Sequence, residues 1–112
     1  MTLKPVKWLG DSRKRIREFP DDLRREAGHQ LERVQAGMEP TDRKPIPSVG
    51  LGVSEIRVRD STGAYRVTYV AKFSEAVYVI HAFQKKARKT PKPAIELAGK
   101  RFRDLIRERK RR

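Results

Sequence analysis

Leu51–Pro91, LGVSEIRVRDSTGAYRVTYVAKFSEAVYVIHAFQKKARKTP, decides the fold of this chain. In Val53–Arg59, Ile56 and Val58 fall on one side of an extended backbone, with Glu55, Arg57 and Arg59 on the other. Asp60-Ser61-Thr62-Gly63 reads as a turn, with Gly63 suited to a positive φ. In Ala64–Phe73, Tyr65, Val67, Tyr69, Ala71 and Phe73 share one face, and Arg66, Thr68, Val70 and Lys72 share the other. Ser74-Glu75-Ala76 turns the chain again. Val77–Phe83 is apolar on both faces, which places it centrally in the sheet. Three antiparallel strands follow. Symmetric turns set Arg57 opposite Arg66 and Arg66 near Phe83. That is a basic row facing away from the tyrosines and ending beside Lys85 and Lys86. A slip of two residues would keep these faces. Parity puts His81 with Val77, Val79 and Phe83.

Outward from this sheet, Lys4–Leu9 is a short strand. Ser12 is placed to cap a helix through Phe19, and Pro20 ends it. Asp21 and Asp22 open a second helix, as caps and as charges suited to its positive end. Its stripe is Leu23, Ala27, Leu31 and Val34, and Gly37 stops it. The two helices form a hairpin over one sheet face. Met38–Gly50 holds three prolines and no periodicity, and reads as a linker. Thr90 as cap and Pro91 at the first helical position begin a last helix. Ile95, Ala98, Phe102, Leu105 and Ile106 face inward from it, and Arg101, Arg103 and Arg107 surround that stripe. The basic tail 107–112 is expected to fray. The predicted class is α+β, one domain over 1–112: an N-terminal strand and helical hairpin packed on an antiparallel sheet, with a C-terminal helix.

The 112 residues carry a formal net charge of +14, and residues 81–112 hold 13 Lys/Arg against 3 Asp/Glu. So uneven a surplus predicts an anionic partner. With no cysteine, disulfides, thiol catalysis and thiolate metal sites are excluded. No apolar run approaches the ~18 residues of a membrane span, and the N-terminal MTLKPVKWLGDSRKR lacks a secretory core. A cytoplasmic protein is expected. His29 and His81 lie on different elements without zinc-site spacing, Gly50-Leu51-Gly52 precedes a strand rather than a helix, and Glu55 has no partner carboxylate on the basic strands. No metal or cofactor is expected.

What remains is a cationic sheet face. Cleaving RNA requires the 2′-hydroxyl aligned on phosphorus, the developing charge neutralised and the leaving oxygen protonated. Arginines fork onto phosphate oxygens, and lysines crowded by cations transfer protons. His81 is an acid/base candidate by its intrinsic pKa, or else a half-buried strand histidine.

With Tyr65-Arg66-Val67-Thr68-Tyr69 and Ile80-His81-Ala82-Phe83-Gln84-Lys85-Lys86 read together, the chain resembles type II toxins of the RelE/HigB superfamily. The likeness is closest to their phage-derived, host-killer-like branch. Glu55-Ile56-Arg57 and Thr90-Pro91 extend the resemblance, which spans nearly the whole chain. It implies a RelE-like fold, an endoribonuclease acting on ribosome-bound mRNA, and a cognate antitoxin, usually a helix-turn-helix repressor. Carried over by position, the catalytic set is Arg57, Arg66, Lys85 and Lys86. No tyrosine follows Tyr78 to serve as the family's C-terminal catalytic residue, so His81 or a lysine takes the proton transfer. Arg59, Lys72, Arg88, Lys89 and Arg101 are RNA-binding candidates. Two alternatives stay open: a non-enzymatic ParE-like inhibitor that binds DNA gyrase, and a basic nucleic-acid- or ribosome-binding protein without catalysis.

Overall fold

The computed structural model describes residues 2–86 and 88–111. Its centre is the expected hairpin pair. Strand β3 (Val53–Asp60) pairs antiparallel with β4 (Gly63–Val70), Arg57 opposite Arg66. β4 pairs with β5 (Val77–Lys85), Arg66 opposite Phe83 and Ala64 opposite Lys85. β1 (Val6–Trp8) adds to β5 in parallel, and β2 (Arg43–Pro45) adds antiparallel to β3. The five-stranded order is β1-β5-β4-β3-β2, so β5 lies inside the sheet as its two-sided apolar sequence requires.

Helices α1 (Ser12–Arg17) and α2 (Asp21–Gln35) cover one face. Ile16, Phe19 and the α2 stripe Leu23, Ala27, Leu31 and Val34 pack there on Ile56, Val58, Tyr65, Val67, Tyr69, Val77 and Val79. Helix α3 (Lys92–Lys110) covers the other face with Ala98, Phe102 and Leu105. Each buried Leu, Ile or Val side chain contributes ~1.5–3 kcal/mol on leaving water. The sheet therefore holds short elements that would not persist alone, such as α1. No helix among the described residues is long and apolar enough to cross a membrane.

α3 covers only part of its face. Its sheet partners are Val53, Val70, Tyr78 and Ile80, all toward one end. The other end carries Arg57, Arg59, Ala64, Phe83 and Lys85, none fully buried.

Several expectations change. The Met38–Gly50 linker contains β2, whose three exposed residues give no alternation to read. Ser12 does not cap α1: its hydroxyl is buried and donates to the Val79 carbonyl at 3.0 Å, tying helix to sheet. Pro20 holds the N-cap position of α2, and Asp21 and Asp22 lie in its first turn. Pro91, not Thr90, is the N-cap residue of α3. The helix runs to Lys110, and Arg109, within the tail expected to fray, forks onto Glu75 at 2.7 and 3.1 Å and lies over the Phe73 ring. Arg112 of that tail lies outside the described residues.

Candidate active site

The uncovered end of the sheet is built by three adjacent strands that present same-face residues in register. Arg57 on β3, Arg66 on β4 and Lys85 on β5 are brought together there. Arg66 is the deep member, 7% exposed. Its Nη1 donates to the Tyr65 carbonyl at 3.1 Å. Its Nε lies 3.5 Å from Glu55 Oε1, outside hydrogen-bond geometry, and is a buried donor without a hydrogen bond among the described residues. Burial pushes the Arg66 pKa down, Glu55 opposes that, and Arg57 adds to it. The guanidinium stays charged, because arginine does so throughout proteins.

Glu55 is itself 1% exposed, and the Thr90 hydroxyl donates to its carboxylate at 3.3 Å. The segment leading into α3 is thereby held over the Glu55–Arg66 pair. Arg57 is half-buried and paired with Asp42 at 2.8 Å, with a second bond from Nε at 2.9 Å. Lys85 has no such partner among the described residues. Its pKa is lowered by partial desolvation first and by Arg66 second. The result is a graded set of cations: one fixed at depth, one braced at the rim, and one ammonium with a weakened hold on its proton.

The remaining expected site residues separate. Lys86 lies on the α1 side, in a cavity with Arg15, Phe19 and Tyr65, because adjacent strand residues point to opposite faces. The Lys85-Lys86 pair is therefore split across the sheet. His81 sits opposite Thr68 while Tyr69 sits opposite Val79, so Ile80 is an extra residue in β5. That bulge reverses the parity: His81 shares a face with Arg66 rather than with Val77 and Val79. It stacks on Phe83 at 5.1 Å, and its buried Nδ1 has no hydrogen bond among the described residues. Desolvation first, then Arg101, push its pKa down to about 4. A neutral imidazole at pH 7 cannot serve as the general acid.

Arg59 is exposed at the end of β3, and Arg88 and Lys89 are exposed on the approach to Thr90, all near the open end. Lys72 is at the far end, its ammonium over the Phe73 and Phe102 rings. Arg101 is committed to structure: it bonds Asp11 at 2.8 Å and the Ile80 carbonyl at 3.0 Å, and holds the Asp11 carboxyl at about 2. Sequence reasoning missed Glu55 as the counterion of Arg66, although the diagonal relation follows once the register is set. Asp42 had no sequence signal, since it pairs through a strand that alternation did not reveal.

A comparison with curated proteins finds no match. The family model described as phage-derived protein Gp49-like (DUF891) matches residues 14–103, from α1 through most of α3 and including every strand of the candidate site. The chain belongs to this phage-derived Gp49-like family of toxin-like proteins.

Proposed function

We propose that this chain is a RelE/HigB-like toxin of a type II toxin–antitoxin system. It is an endoribonuclease that cuts ribosome-bound mRNA, inhibits translation and is neutralised by a cognate antitoxin of helix-turn-helix type. The observation that carries the reading is the convergence of Arg57, Arg66 and Lys85 on the end of the sheet that α3 leaves uncovered. Arg66, held by Glu55, is a cation already in place before substrate arrives, which is the condition for stabilising charge on a pentacoordinate phosphate. Arg57 reaches the same phosphate from the rim. Lys85, with its lowered pKa, donates a proton to the leaving 5′-oxygen while the 2′-hydroxyl gives its proton to water; His81 is neutral and Lys86 lies on the opposite face, so neither takes the acid's role.

The test is primer extension on a defined mRNA in a reconstituted translation reaction, with and without ribosomes. Wild type should produce ribosome-dependent cuts. Lys85→Ala should lower the cleavage rate by about 100-fold, in the range for loss of a general acid–base group. Arg57→Gln should lower it by ~10-fold or more. Intact mRNA with wild type, together with inhibited supercoiling by gyrase, would move the protein to the ParE-like reading.

A further inference from the structure

β1 reaches only as far as Val79 on β5. Beyond it β5 continues to Lys85 with no strand on that side among the described residues, and α1 lies alongside. Between the C-terminal end of α1 and this stretch of β5 is a cavity of about 370 Å³. Phe19, Tyr65 and Phe83 wall it, and Glu18, Arg15 and Lys86 stand at its rim. The Phe19 and Tyr65 rings are 4.7 Å apart and inclined at 49°. Phe83 also stacks on His81, on the face that carries Arg66. The Phe83 ring therefore lies on the face of β5 opposite to Tyr65 and borders the cavity from the strand edge, and Lys85 and Lys86 leave the strand end toward opposite faces.

We propose that this cavity is a nucleobase subsite: single-stranded RNA held at Arg57, Arg66 and Lys85 passes around the free edge of β5 and places a neighbouring base against Phe19 and Tyr65. Aromatic walls accept any base by stacking. Lys86, exposed and without an acidic partner among the described residues, takes the adjoining phosphate. Arg15 is already bonded to Asp11 at 2.9 Å and contributes field rather than a free fork. Glu18 argues against a bare anion as the ligand and for a base, since its carboxylate accepts from an exocyclic amine. The subsite therefore favours adenine, guanine and cytosine over uracil. This assignment rests on the ribonuclease reading and supplies that reading with a second point of substrate contact, on the opposite face of the sheet.

The experiment uses the full chain and an uncleavable 2′-O-methyl RNA nonamer carrying one 6-thioguanosine, photocrosslinked and mapped by mass spectrometry. Fluorescence anisotropy of oligo(A), oligo(C) and oligo(U) nonamers runs alongside. Crosslinks are expected at Phe19 or at Glu18 beside it, on the α1 side of the cavity. Lys86→Ala should raise Kd about fivefold and lower the slope of log Kd against log salt by about 0.7, one phosphate contact on a single strand. Glu18→Gln should shrink the preference for oligo(A) and oligo(C) over oligo(U). Both residues are exposed, so these variants leave the core intact. Crosslinks confined to the Arg57 and Lys85 side, or an unchanged salt slope in Lys86→Ala, overturn the subsite and leave the nuclease reading standing. Crosslinks in the cavity together with intact mRNA in the translation reaction support the subsite while the nuclease reading falls. No RNA binding at all overturns both.

Discussion

Replacing Arg66 does more than remove a phosphate ligand, because it strips a buried carboxylate of its counterion. The Arg66 and Glu55 side chains are 9% and 2% exposed, with charged atoms 3.5 Å apart. At an effective dielectric of about 20 this separation corresponds to ~5 kcal/mol of gross attraction, against which stands the cost of desolvating both groups. The pair adds little net stability, but losing one member leaves the other charge buried alone. Arg66→Met should therefore destabilise the fold by about 3–5 kcal/mol, the range for a broken buried pair. Out of a total of ~5–15 kcal/mol for a small domain, that threatens folding at 37 °C. The double variant Glu55→Gln/Arg66→Met should recover at least ~2 kcal/mol of the loss. Urea unfolding followed by circular dichroism, with unchanged m-values, closes the cycle. If Arg66→Met costs less than ~1 kcal/mol, or the two substitutions add, the charge is not held by Glu55 and the buried-pair account fails. If the cycle closes as expected, loss of toxicity in an Arg66 variant says nothing about chemistry until the folded fraction is known.

Four further expectations concern stability. His81 has its folded pKa depressed to about 4 from the ordinary 6.5, so below pH 6.5 the unfolded chain takes up a proton that the folded chain refuses. Stability falls as pH drops from about 6.5 to about 4, by at most ~3 kcal/mol, and His81→Gln should flatten that slope in urea midpoints taken across the window. Parallel slopes in the two proteins would show that His81 is not the group responsible. Asp11, held at about 2 by Arg101 and then Arg15, loses its contribution only at lower pH, below about 4. Gly10 has φ +53°, and a Cβ there would lie 2.4 Å from the Arg101 guanidinium carbon; Gly10→Ala should cost ~2 kcal/mol or more through backbone strain and displacement of Arg101, read as a lowered thermal midpoint. A Cβ on Gly50 would meet the Phe102 ring at 2.3 Å, so Gly50→Ala should cost ~1–3 kcal/mol by overpacking, and an unchanged midpoint would show that α3 shifts freely.

The alternation in β3 and β4 carries the fold because it fixes faces and, through two short turns, the register that sets Arg57 opposite Arg66. The α2 stripe was equally legible: Leu23, Ala27, Leu31 and Val34 are all buried. What alternation could not show is what interrupts it. The extra residue at Ile80 moves His81 to the other face, and no feature of a uniformly apolar strand marks where a bulge falls. The pairing of β1 with β5 was hidden because parallel contacts between distant segments leave no local periodicity. At the site, residue types were legible and their partners were not. Lys85 and Lys86 read as one basic pair, yet strand parity sends them apart. Glu55 read as an isolated acid, yet it is the group that allows Arg66 to be buried.

β1 carries a consequence for how the chain reaches this structure. Val6 pairs with Val77, and the Lys4 ammonium bonds the Ala71 and Phe73 carbonyls. During synthesis the N-terminal segment must wait for β5 before it has anything to pair with, and its closure bears the entropy of a loop of about 70 residues. It therefore docks after β3, β4 and β5 have paired and, having three residues, opens before they do. While it is away, β5 presents a bare apolar edge to other chains, the situation that leads to edge-to-edge aggregation. Native-state hydrogen exchange should find Val77 and Leu9, whose amides bond the Pro5 and Val79 carbonyls, opening well before the amides shared by β3 and β4.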